Sequence, residues 1–159
     1  MITRQLARAS RHLTVPALVA VALLAGMTPA LAESAGIIKT SRGVANIERN
    51  GQRLPANVGA SVDARDRIVT GTDGAIGVTL RDNTMLSAGP NSVLDLNRFA
   101  FDSTTHDGAI DASVKRGTLA VISGKIAKAN PDAVRFSTPS ITVGVRGTEF
   151  VIEAGQGSE

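Results

Sequence analysis

The 159-residue chain carries 17 lysines and arginines against 14 acids, and it lacks cysteine, tryptophan and tyrosine. Disulfide frameworks and thiolate metal sites are therefore excluded. The indole and phenol platforms on which bases and sugars usually stack are also missing.

The first 32 residues read as a targeting segment. Arg4, Arg8 and Arg11 form a basic start, Ala17 to Met27 an apolar run, and Ala30-Leu31-Ala32 a small-x-small cleavage pattern, which predicts a mature chain beginning at Glu33. The apolar run is shorter than the roughly 20 residues of a membrane span, so no integral span is expected after cleavage. Removing the three leader arginines leaves 14 bases against 14 acids. A neutral mature surface gives nucleic acid nothing to hold.

From residue 33 onward the pattern is all-β: short alternating runs separated by Gly, Asn, Asp and Pro, with no convincing amphipathic helix. Glu33 to Gly36 reads as a loose end and Val44 to Glu48 as the first clear strand. Asn50-Gly51 is a hairpin signal, with Gln52 to Leu54 returning. Val58 to Val62 leads into Asp66 to Thr70. Ala75 to Arg81 is the cleanest strand, with Ile76, Val78 and Leu80 on one face. Asp82-Asn83 reads as a tight turn, Thr84 to Ala88 as a return, and Val93 to Asn97 as the next strand. Asp102 to Gly108 is a long polar loop. Ala109 to Lys115 alternates, Arg116-Gly117 reads as a turn, and Thr118 to Ser123 follows. Val134 to Thr138 is a strand, and Thr138-Pro139 breaks the ladder. The expected fold is a compact sandwich or roll of about ten mostly antiparallel strands, with a β-solenoid as the alternative.

The closing stretch is singular. Ile141, Val143 and Val145 occupy odd positions, whereas Phe150 and Ile152 occupy even ones. Strand side chains alternate strictly, so the phase flip predicts a bulge or corner at Arg146-Gly147-Thr148. Gly147→Val is expected to destabilise by roughly 2 kcal/mol or more, and Gly144→Ala by clearly less.

The order Gly43-Val44, Leu54, Gly59, Val62, Asp66-x-Ile68-Val69-Thr70, Val78-Thr79-Leu80-x-Asp82 and Pro90-x-Ser92-x-Leu94-x-Leu96 resembles a FecR-like domain. So do Gly117-Thr118-Leu119, Phe136-x-Thr138-Pro139, Val143 and Val145-Arg146-Gly147-Thr148-x-Phe150. The resemblance spans about residues 43 to 152 of a β domain set at 33–159, and Asp82-Asn83 stands where the family usually has Asp-Gly. It implies an exported, non-enzymatic β domain. Its namesakes relay outer-membrane transporter occupancy to a cytoplasmic sigma factor. No anti-sigma segment, membrane span or transporter-binding domain is read in this chain, so that role is not carried over. The expectation is a stand-alone periplasmic or secreted module that binds an envelope protein or peptide, for signalling or as a scaffold.

No catalytic, cofactor or metal constellation is read from the residues. Arg146, Gly147, Thr148, Phe150, Thr138 and Pro139 are singled out as structural motif positions, with the Arg146 fork satisfied by a carboxylate or turn carbonyls. His106 is the sole histidine after the leader. The loop Asp102 to Asp107, with Asp111, supplies the alternative reading, a metal-dependent or hydrolytic enzyme. A triad needs a rigid frame and an oxyanion site, and calcium needs a convergent set of oxygens. A polar hairpin loop predicts neither.

Overall fold

Alternating apolar and polar residues, interrupted by turn formers, give twelve strands among the described residues. The computed structural model describes residues 33–145 and 149–155, within the second of two compact units, Ala32–Glu159. The strands are β1 (Gly36–Arg42), β2 (Ala45–Arg49), β3 (Gln52–Pro55), β4 (Ser61–Val62), β5 (Arg67–Thr70), β6 (Ala75–Leu80), β7 (Met85–Ala88), β8 (Val93–Phe101) and β9 (Gly108–Ile122). A short helix α1 (Lys125–Ala129) and a 3-10 turn (Pro131–Ala133) precede β10 (Val134–Ser137), β11 (Thr142–Gly144) and β12 (Glu149–Ala154).

β9, at 15 residues, belongs to both wings of a curled half-barrel. Its first half pairs with β8 and, in parallel, with β10; its second half pairs antiparallel with β7 and β12. From β8 one wing continues through β5 and β2 to β3, and β11 pairs with β10. From β7 the other wing continues through β6 and β1 to β4. The all-β expectation holds in its rolled form. A solenoid would stack parallel coils, whereas β9 with β10 is the one parallel pairing among the described residues.

The bend in β9 corrects the turn expected at Arg116-Gly117. The chain does not reverse there; it kinks and continues. Gly117 has φ +83°, and a Cβ on it would lie 2.3 Å from Ser92 Oγ and 2.6 Å from Ser92 Cα. Only glycine fits both the left-handed backbone and this approach. Ser92 Oγ accepts from the Thr118 amide at 3.0 Å and lies 3.1 Å from the Thr118 carbonyl, to which it can donate. Thr70 Oγ1 in turn accepts from the Ser92 amide at 2.8 Å and donates to the Gly89 carbonyl at 2.7 Å. The Ser92 hydroxyl thus satisfies the Thr118 amide at the kink, and the Thr70 hydroxyl satisfies the Ser92 amide and the Gly89 carbonyl in the adjoining turn.

Other boundaries also differ. β1 forms ahead of the first strand expected, because Gly36 and Ile38 are buried beside Leu80 and Val78 of β6. α1 is too short to show a helical period, yet it buries Ile126 and Ala127. Ile141 falls outside β11 and is exposed, so the odd-numbered face begins at Val143.

The core is one cluster built from inward rows. Ile47, Ile68, Leu94 and Val114 lie in register across the first wing. Val78, Leu86, Val121 and Phe150 do the same across the second. Ile38, Ile126 and Phe136 complete it. Each large aliphatic side chain buried this way contributes roughly 1.5–3 kcal/mol, which lets a protein without disulfides fold.

Candidate functional site

Two acids, Asp82 read as a turn residue and Asp66 as the start of a strand, are buried anchors. Asp82 is fully buried. Its carboxylate accepts from the Thr84 amide at 3.0 Å and the Thr84 hydroxyl at 2.7 Å, and from the Ile126 amide at 3.4 Å. The Asp82 carbonyl takes the Lys125 amide at 2.7 Å, so this residue pins α1 across the end of the roll. In the tight turn expected at Asp82-Asn83, Asn83 takes positive φ and Asp82 does not. Asp66, likewise buried, accepts Nε and Nη2 of Arg49 at 2.8 and 2.6 Å and the Asp63 amide at 2.7 Å. These bonds, and next the Asp66 charge against the cost of burial, hold the Arg49 guanidinium above its ordinary pKa. The Asp-x-Thr spacing at Asp82 was the available signal, since an Asx turn closes on the amide two residues on.

The outward face of the first wing is mostly polar, with Val69 and Val93 half-buried in a row between Asn46 and Arg116. One cross-strand row reads Arg53, Glu48, Arg67, Asp95, Ser113, Ser137 and Thr142. Its charges are used internally. Arg53 pairs with Glu48 at 2.8 Å, and Arg67 grips Asp95 through two bonds of 2.6 and 3.0 Å. Those bonds, then the Asp95 charge, raise the Arg67 pKa. Ser113 Oγ meets Ser137 Oγ at 2.9 Å and Asn97 Nδ2 at 2.8 Å. A groove of about 480 Å³ crosses this face, lined by Glu48, Arg65, Arg67, Asp95 and Asn97 among others. Most of its charge is already paired.

The outward face of the second wing is different. Its row runs Ile37, Thr79, Met85, Ile122 and Glu149. Ile37, Met85 and Ile122 are 42%, 44% and 40% exposed. The next row ends Gly77, Ser87, Ala120 and Val151, and Val151, at 68%, is the most exposed large apolar residue among those described. β12 forms the margin of this face. Among the described residues it pairs with β9 alone, and within them the other side of its backbone has no strand partner. Its inward residues hold it firmly: Ile152 and Ala154 are buried, and Phe150 packs edge-on against buried Phe136 with ring centres 5.4 Å apart.

The other edges are poorer templates for an added strand. β3 ends in Pro55, which has no N–H, and β4 and β11 have two and three residues. β12 has six.

Of the motif residues, Thr138 and Pro139 form the link from β10 to β11. Thr138 Oγ1 accepts the amides of Ser140 and Ile141 at 3.3 and 3.1 Å. Phe150 is the inward residue of β12 just described. Arg146, Gly147 and Thr148 lie outside the described residues, as does the leader, so the corner drawn at Gly147 has no geometry here. The loop of the enzyme alternative is exposed. Asp102 Oδ1 accepts the amides of Thr104 and Thr105 at 2.7 and 3.1 Å, which hold its carboxyl below the usual range. His106 stacks on Phe101 with ring centres 6.2 Å apart. No three of His, Asp and Glu converge on a metal-sized space among the described residues. Asp111 is turned elsewhere, accepting from Asn97 at 2.8 Å.

The described residues define an all-β domain in which the six-residue β12 pairs on one side only, beside a partly apolar face. The chain matches the FecR protein family over residues 66–159, more than half its length, and it belongs to that family. The match takes in the buried Asp66 and Asp82, the Gly117 bend and β12, whereas the resembling residues between Gly43 and Val62 precede it. No characterised protein and no solved structure matches the chain. Family membership implies a role in envelope signalling. Among the described residues no helix is long and apolar enough to cross a membrane.

Proposed function

We propose that this protein is exported by its leader and works as a non-enzymatic binding module of the envelope, taking an extended segment of another envelope protein onto the edge of β12. The observation that carries this reading is the open backbone of a six-residue strand, anchored by Phe150 and Ile152 and bordered by exposed Val151. Strand addition at such an edge gains a ladder of main-chain hydrogen bonds with little reorganisation of the host sheet. The leader's basic start, apolar run and Ala30-Leu31-Ala32 pattern support delivery to the periplasm or beyond.

The test is a photo-crosslinking amino acid placed singly at Val151 and at Lys115, an exposed position of β9 in the other wing. A discrete adduct in the envelope from position 151 but not 115 is expected. Adducts from 115 alone, or from neither, overturn the reading. N-terminal sequencing of the exported protein should begin at Glu33.

A further inference from the structure

The outward residues of β12 specify the partner more narrowly than an open edge does. They are Glu149, Val151 and Glu153, with Phe150, Ile152 and Ala154 turned inward. Neither glutamate has a hydrogen-bond or ion-pair partner among the described residues, and both are exposed. An added strand places its side chains directly opposite those of β12, close enough for charges to attract or repel. Resting on the sheet-edge reading above, we propose that β12 selects an extended peptide whose outward side chains alternate basic, aliphatic, basic, the two cations opposite Glu149 and Glu153 and the aliphatic beside Val151.

A second copy of β12 fits poorly. Antiparallel pairing of Val151 with its own copy sets Glu149 against Glu153 twice, and a shift of two residues sets a glutamate against the valine. Like charges opposite each other destabilise a strand pair. Edge protection alone does not account for the pattern either. A guarded edge carries charge or proline along its length, as β3 does with Arg53 and Pro55. β12 instead centres the most exposed large apolar side chain on its margin, next to Ala120 and one row from Ile122 and Met85. The apolar strip gives an incoming aliphatic residue surface to cover, and the flanking acids choose what accompanies it.

The experiment uses the purified protein and three blocked heptapeptides, Thr-Lys-Thr-Val-Thr-Lys-Thr, the same with both Lys replaced by Glu, and an isomer with the two Lys adjacent. Binding is titrated while backbone amide signals of residues 149–154 are followed. The alternating lysine peptide should perturb those amides and bind at least about tenfold more tightly than the glutamate peptide, with the isomer between. Added salt should narrow the gap. The double variant Glu149→Lys, Glu153→Lys should reverse the preference, and Glu149→Gln, Glu153→Gln should abolish it while melting like the parent. Equal binding of all three peptides at β12 overturns the charge rule and leaves the sheet-edge reading standing. Failure of every peptide to shift the β12 amides at millimolar concentration, or shifts confined elsewhere, overturns both.

Discussion

The two outward faces of this half-barrel come from one strand and end in opposite characters. The first half of β9 sets Asp111, Ser113 and Lys115 among arginines, acids and hydroxyls that pair with one another. Its second half presents Ala120 and Ile122 among Met85, Ile37 and Val151, which have no polar partner to seek. Most of the charge on the first face is already paired, and a partner would have to break Arg67 from Asp95 to use that pair. The second still exposes apolar area that costs roughly 25 cal/mol for each Å² left in water. A charged face is often taken for the interactive one; here its charges are already engaged, and the open contacts lie on the other wing.

The comparison depends on the bend at Gly117, so that is where it breaks most readily. Gly117→Val must hold a β-branched residue at φ +83° and push a methyl-bearing Cβ into Ser92. A loss of about 3 kcal/mol or more is expected in denaturant melts, from backbone strain plus displacement of packed atoms. Gly144→Val, where a Cβ meets nothing within 4 Å, serves as the control and should stay near the parent. Equal midpoints for the two variants would remove the bend from the account.

One position separates inside from outside on the second half of β9. Val121→Thr puts a hydroxyl into the core at a residue 1% exposed and should cost about 1–3 kcal/mol. Ile122→Thr, on the outward face, should cost less than about 1 kcal/mol. Similar losses in thermal melts would mean that this face is not open. On the polar wing, Arg67→Ala should cost no more than about 1 kcal/mol, because Arg67 is 48% exposed and solvent screens the pair. A larger loss would show that the polar ladder stabilises the wing beyond pairing its own charges.

The smallest effect belongs to the Asp102 loop. Its carboxyl is held low first by the Thr104 amide, then by that of Thr105. A depressed carboxylate favours the folded loop above the unfolded carboxylate's pKa, and that contribution is lost as pH falls through the lower folded value. Titration followed by the Thr104 and Thr105 amide shifts should give a midpoint below that of an unstructured peptide of the same residues. A midpoint at or above the peptide's would remove the Asx turn as its cause.

Much of this molecule is written in local pattern. Asn50-Gly51 adopts positive φ at both residues, 51° and 77°, as an Asn-Gly hairpin requires. The alternation of Ile76, Val78 and Leu80 sets β6 and its buried face without knowledge of any neighbour. The family motifs were readable as well, because they combine turn residues with strand period at set intervals. The roles of Asp66 and Asp82 were less so: an aspartate looks the same in sequence whether it faces water or is buried against a donor from a distant segment, Arg49 for Asp66 and Ile126 for Asp82.

Gly117 shows where sequence stops. A glycine after an arginine fits a reversing turn as well as a kinked strand. The choice falls to Ser92, 25 residues earlier, whose approach leaves no room for a Cβ and whose hydroxyl bonds Thr118. The same holds for the open edge. Strand period, turn chemistry and the inward face of each strand are properties of consecutive residues, so the chain alone determined them. Which strands become neighbours depends on contacts between residues far apart in the chain. That is why only the tertiary structure could leave β12 with one strand partner among the described residues and set Val151 between Glu149 and Glu153 on its margin.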